Sequence, residues 1–103
     1  MSKQEKTSAS GGTLEVLDLE PPSLYKVCLL NDDYTTMEFV VNVLETVFHK
    51  SNAQAVEIMK KVHKSGRGVA GVYPYDIAVT KAQVSMNMAR RQGFPFRCEV
   101  EEM

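Results

Sequence analysis

At 103 residues, with 12 Lys+Arg against 13 Asp+Glu and a formal net charge of −1, the chain is long enough for one modest core and lacks the basic field that dominates nucleic-acid binding. No apolar run approaches the roughly 20 residues of a membrane-spanning helix, and the opening MSKQEKTSASGG has no stretch suited to a signal peptide, so a cytoplasmic chain with no membrane or nucleic-acid partner is expected. Cys28 and Cys98, without CxxC or paired-His spacing, read as reduced core thiols.

Residues 1–23 are rich in Ser, Gly, Lys and Glu and close with Pro21-Pro22, a composition that buries too little to offset its ordering entropy. They are expected to form a flexible extension, followed by a core domain over residues 24–103. LYKVCLL (24–30) reads as a strand with Tyr25, Val27 and Leu29 sharing one face. Asn31-Asp32-Asp33-Tyr34 is a turn, and Thr35 with Glu38 fits a capping box opening a helix whose apolar positions, among them Met37, Val40, Leu44 and Val47, run to about residue 49.

Ser51 and Gln54 form a second capping box, before a helix that places Ala55, Ile58, Met59 and Val62 on one face and ends near Ser65-Gly66. GRGVAGVYPYD (66–76) supplies a strand with Val69, Gly71 and Tyr73 on one face and Ala70 and Val72 on the other. Pro74 suits the first turn of a third helix, which carries Ile77, Ala78, Val84, Ser85 and Met88 and ends on a basic turn before Gly93. FPFRCEV alternates, with Phe96, Cys98 and Val100 together. The pattern predicts an α+β fold: a compact βααβαβ sandwich, three helices packed on a small, mainly antiparallel three-stranded sheet.

Asp32, Asp33 and His63 are the titratable groups able to converge, at the strand–helix turn and near the end of the second helix. As a catalytic set they would need a substrate to turn over, and as a metal site three ligands, although adjacent aspartates usually point apart. His49, at a helix end, reads as structural. GRGVAG lacks the Lys-Ser/Thr of a phosphate loop and leads into a strand, so no nucleotide cofactor is implied. On the residues alone, Asp32 and Asp33 are equally well explained as turn formers, and Met37, Val40, Met59 and Val62 as plain core. Lys60, Lys61 and Lys64 read as a solvated basic face, and a scaffold indifferent to free N-termini stays open.

NDDYTTMEFVVNVL (31–44) followed by VHKSGRGVAGVYPYDIAVTKAQV (62–84) resembles the ClpS family, bacterial and plastid adaptors that recognise destabilising N-terminal residues and deliver their owners to the Clp protease. The resemblance runs from about Pro22 to the end of the chain. It implies a non-enzyme without metal or cofactor. It implies that Asn31, Asp32 and His63 hold the α-amino group of a substrate beginning with Leu, Phe, Tyr or Trp, an N-degron. An ammonium has three donors and no acceptor, and these three side chains offer acceptors. Asp33, Thr35, Met37, Val40, Met59, Val62 and Phe96 would then surround the first side chain. By the same resemblance the N-terminal domain of a ClpA-type ATP-driven unfoldase grips a surface including Asp76 and Lys81. Residues 1–23 match the family's variable arm, needed for delivery, and the chain is a monomer in isolation. Two positions depart from the family pattern, Thr36 where Pro is common and Phe96 where an aliphatic residue is common.

Overall fold

The strand Leu24–Leu30 (β1) is the middle of the sheet, flanked on both sides by antiparallel partners, Arg67–Pro74 (β2) and Arg97–Glu102 (β3), in the order β2-β1-β3. The structure is a computed structural model that describes residues 21–103, so the extension expected over residues 1–23 lies, but for its last three residues, outside the described part. Met37–Thr46 (α1), Asn52–Ser65 (α2) and Tyr75–Arg91 (α3) complete the order βααβαβ. As expected, Tyr25, Val27 and Leu29 share the face that packs into the core, and Lys26 and Cys28 point to the other face. On the core face α2 lies against β2, α3 crosses all three strands, and α1 packs on α2.

α1 buries Phe39, Val40, Val43 and Leu44, the spacing that a single helical face requires. Its N-cap is Thr36, whose hydroxyl accepts the Phe39 N–H at 3.1 Å, and not Thr35 as the capping-box pattern suggested. The reason is local: the Thr35 hydroxyl donates to Asp32 instead. The helix also stops at Thr46, short of residue 49, and His49 turns the chain at φ 56, a left-handed conformation that His tolerates better than most residues. α2 opens on the expected capping box, with Ser51 Oγ accepting from Gln54 N–H at 3.2 Å and Gln54 Oε1 accepting from Ser51 N–H at 3.1 Å. It ends at Gly66, whose φ of 92 lets its N–H reach back to the Val62 carbonyl at 2.9 Å.

In β2 the expected alternation fails at a bulge. Val27 opposes Gly71 and Cys28 opposes Val69, so Ala70 is the extra residue, and it is buried together with Gly68 while Val69 and Val72 face outward. Gly68 is required by close packing, since a Cβ there would sit 3.0 Å from the Val62 side chain. Pro74 closes β2 and caps α3 instead of entering its first turn. α3 meets the sheet through small residues, Ala78, Ala82, Ser85 and Ala89, which leaves Ile77 and Val84 on its exposed flank. Ser85 is satisfied by donating to the Lys81 carbonyl at 2.8 Å. Cys98 joins the core and Cys28 is buried beneath the outer face; both are free thiols, and burial, with a smaller contribution from Cys28, pushes the Cys98 thiol up to about 12. No helix among the described residues is long and apolar enough to cross a membrane.

Candidate functional site

β1 leaves the sheet at Leu30, and the next residue ties the chain down: Asn31 N–H donates to the Gly66 carbonyl at 2.9 Å. That bond holds the 31–36 loop to the end of α2, three residues beyond His63, and so brings the Asn-Asp-Asp turn and the histidine to one place. Asp32 shapes the rest of the loop. Its Oδ1 accepts from the N–H groups of Tyr34 at 2.8 Å and Thr35 at 2.7 Å, and its Oδ2 accepts the Thr35 hydroxyl at 2.7 Å. Partial burial pushes the Asp32 carboxyl up, but the bonds from Thr35 backbone, Thr35 hydroxyl and Tyr34 together outweigh it and hold the carboxyl below its usual 3.8. A carboxylate accepts at about four lone-pair sites, so three bonds leave one direction open to a ligand.

Between this loop and the start of α1 on one side and the end of α2 on the other lies a cleft of about 400 Å³. Asn31, Asp32, Asp33 and Thr35 form its polar edge, with His63 opposite. Val40 and Val62, both buried, form its floor, and Met37 and Met59 its apolar walls. Nearly half of Met37 is exposed (48%), so it stands at the rim and not in the core. The structure therefore brings together Asn31, Asp32, His63, Asp33, Thr35, Met37, Val40, Met59 and Val62. Phe96 is not among the residues lining the cleft: that ring is fully buried in the core, edge-on to Phe39 at 5.6 Å between centroids. Tyr34 and Thr36 line the cleft and were not among the expected site residues; the Asp32 turn, which curls the backbone of the loop around one carboxylate, is the signal that would have included them.

Asp76 and Lys81 lie elsewhere, on α3. Asp76 is exposed in its first turn, while the Lys81 ammonium donates to the Val47 carbonyl at 2.7 Å and sits 5.2 Å above the Tyr73 ring. Among the described residues no group of three His, Cys, Asp or Glu side chains is placed to hold a metal ion.

Residues 20–99 match the family described as ATP-dependent Clp protease adaptor protein ClpS. The chain belongs to the ClpS family. It is 53% identical over 85 residues to the ATP-dependent Clp protease adapter protein ClpS of Herminiimonas arsenicoxydans, covering 82% of this chain and 83% of that one. With the same adapter of Burkholderia cenocepacia it shares 55% over 84 residues, 82% of this chain and 81% of the relative. Among solved structures, Agrobacterium tumefaciens ClpS2 bound to L-phenylalaninamide superposes with a TM-score of 0.78 at 42% identity, over 81% of this chain and all of that one. As a ClpS member the chain is an adaptor of the ATP-dependent Clp protease, and the expected α+β fold is the family's fold. Thr36 caps Phe39 with its hydroxyl, which a proline at that position could not do.

Proposed function

We propose that this ClpS adaptor captures proteins whose free N-terminal residue is Leu, Phe, Tyr or Trp and hands them to the Clp protease. The observation that carries this reading is the cleft's division of labour: acceptors from Asn31 and Asp32 at one edge and from His63 opposite, and an apolar lining of Met37, Met59, Val40 and Val62 with room for one large side chain. Asp33 and Thr35 belong to the same polar edge. L-Phenylalaninamide, bound by the Agrobacterium relative, has the chemistry such a cleft suits: a free α-amine, an aromatic side chain and a neutral amide where a peptide would continue.

The energies fit a carrier that must release its cargo. Burying one large side chain is worth about 1.5–3 kcal/mol, and each hydrogen bond to a charge about 1.5–3 kcal/mol. Three such bonds plus the side chain, less at least about 4 kcal/mol for association, correspond to weak-to-micromolar binding. The methionines are unbranched and polarizable, so flat aromatic and branched aliphatic guests both pack against them.

The adaptor has no catalytic role in this reading and works in the cytoplasm. Its second partner is the N-terminal domain of a ClpA-type unfoldase, gripped on a surface including Asp76 at the exposed start of α3; Lys81, whose ammonium is held by Val47, acts there through the helix it anchors. Residues 1–23 serve handover, so deleting residues 2–18 leaves peptide binding intact and stops delivery.

Fluorescence anisotropy tests the reading with a labelled peptide beginning with free Leu, its acetylated form and a Gly-initial form. Binding is confined to the free Leu form and falls above about pH 8 as the peptide amine loses its proton. Equal binding of the acetylated peptide would return the Asn31-Asp32-Asp33 loop to the status of a turn.

A further inference from the structure

The cleft does not end at His63. A second groove of about 580 Å³ continues from it, sharing Met37, Met59 and His63 and adding Lys60 and Lys64. A smaller groove of about 300 Å³ leaves in the other direction along α1, shares only Met37 and Met59, and is bordered by Glu38 and Glu45. The molecule thus offers a peptide two exits of opposite charge.

The structure favours the first exit. His63 borders both the main cleft and the basic groove, and the groove along α1 does not reach it. A peptide whose amine is held at His63 has its next Cα only about 3.8 Å on, which brings its second and third side chains within reach of Lys60 and Lys64. These two lysines are four apart on an exposed helical face, an arrangement in which like charges destabilise the helix, and no ion pair joins either of them to another described residue. Their position near the C-terminus of α2 suits the helix dipole, but the dipole does not account for their lining a groove with two methionines. The carboxylates that line the cleft itself are Asp32, whose oxygens are mostly taken up by Thr35 and Tyr34, and Asp33; Glu57 stands one turn before Lys60 on α2 but does not line the basic groove.

We infer that Lys60 and Lys64 read the residues immediately after the N-terminal one and favour substrates with Asp or Glu at the second or third position. The proposal rests on the N-terminus reading above and adds a specificity determinant to it. The occupant is the substrate chain itself, identified by charge complementarity and by the continuity of the groove with the cleft.

Three peptides decide it, beginning with free Leu-Asp-Asp, Leu-Asn-Asn and Leu-Lys-Lys, each beside its acetylated form, with anisotropy as the readout. The Asp-Asp peptide binds about threefold to tenfold more tightly than the Asn-Asn peptide at low salt, as expected for partly screened surface pairs, and the gap closes near about 1 M salt. The Lys-Lys peptide ranks last. In Lys60→Glu/Lys64→Glu the order reverses, with far-UV circular dichroism confirming an unchanged helix content. In Lys50→Glu, whose charge lies beside a separate groove, the order is kept. Equal binding of the three free peptides, with the acetylated forms excluded, overturns the groove and leaves the N-terminus reading standing. An unchanged order in the double variant also overturns it. Failure of every free Leu peptide to bind, or equal binding of the acetylated forms, overturns both.

Discussion

Two polar surfaces lie on either side of the end of β1, and they use their charges in opposite ways. On the outer face of the sheet, Arg67 of β2 pairs with Glu99 at 3.7 Å and with Glu101, and Lys26 of β1 pairs with Glu101 at 3.9 Å, so the charges satisfy one another across strands. In the 31–36 loop, Asp32 is satisfied by neutral donors of its own turn and no cation among the described residues pairs with it. The Glu101 carboxyl is held below its usual range chiefly by the Arg67 guanidinium, and Asp32 by hydrogen bonds that overcome its burial. A charge closed on a neighbour has finished its work when the chain folds. A charge held by neutral groups keeps its full sign, and that is what an incoming ammonium needs.

The sharpest way to break this contrast is Asp32→Ala. It removes three hydrogen bonds from a part-buried turn and takes away the loop's anchor, so a loss of about 1–2 kcal/mol in chemical denaturation is expected, on the scale of a lost cap. Binding to a Leu-initial peptide falls below detection. Glu101→Gln, by comparison, changes stability less, loses that small effect in high salt, and leaves binding untouched. Equal consequences from the two substitutions would dissolve the distinction.

Asp32→Asn separates the two roles of the same residue. The amide oxygen still accepts from Tyr34 and Thr35 N–H groups and the Thr35 hydroxyl turns to accept from the amide, so the loop is kept, while the negative charge is gone. Peptide affinity drops by about tenfold to a hundredfold, the worth of one charged hydrogen bond, with little change in unfolding. Wild-type binding with Asn at 32 would assign the residue to the turn alone.

Acid titration gives a milder test of the same point. The folded-state value of Asp32 is depressed, so the stability it contributes is fully present above the usual 3.8 and is lost as pH falls through the lower folded value. Asp32→Asn therefore flattens the stability curve below about pH 4, and it does so at high salt as well as low, because the donors are neutral. A flattening that disappears in salt would point to an unrecognised cationic partner.

How far the sequence foretold this molecule depends on whether a feature is local. The six elements, the Ser51–Gln54 capping box and the Gly66 terminus follow from residues within a few positions of one another, and all were legible. The bulge at Ala70 was not, because it comes from the register between β2 and β1. Thr35 and Thr36 are both good caps, and only the competing carboxylate of Asp32 decides between them. For the cleft, periodicity could not tell Met37 from Phe39 or Val40: all three lie on the apolar side of α1, yet one is rim, one is core and one is floor. Phe96 is ambiguous in the sequence for a related reason. A strand-end aromatic next to Pro95 is as plausible a wall as a core residue until Phe39 and Phe94 are seen against it. That Asn31, Asp32 and His63 come together rests on long-range contacts that no local pattern encodes, the Leu30–Arg67 pairing of β1 with β2 and the Asn31 to Gly66 bond.

Met37→Ala carries the smallest stability change and tests the rim most directly. Nearly half the Met37 side chain is already in water and its neighbours in the cleft are walls of an open space, so truncating it leaves no closed cavity and costs well under the 2–5 kcal/mol of a buried Met→Ala change. On the proposed reading, what it removes is bulk beside the place where the first residue's side chain leaves its backbone. Branching at the β-carbon, as in Ile and Val, puts a methyl there; Leu, Phe, Tyr and Trp branch one carbon further out and avoid it. The variant should therefore gain affinity for Ile- and Val-initial peptides while its affinity for Leu-initial ones changes little, measured by competition against a labelled Leu peptide. A uniform loss for all five guests would make Met37 a plain contact surface, and unchanged discrimination would move the selective wall to Met59, on the α2 side of the same cleft.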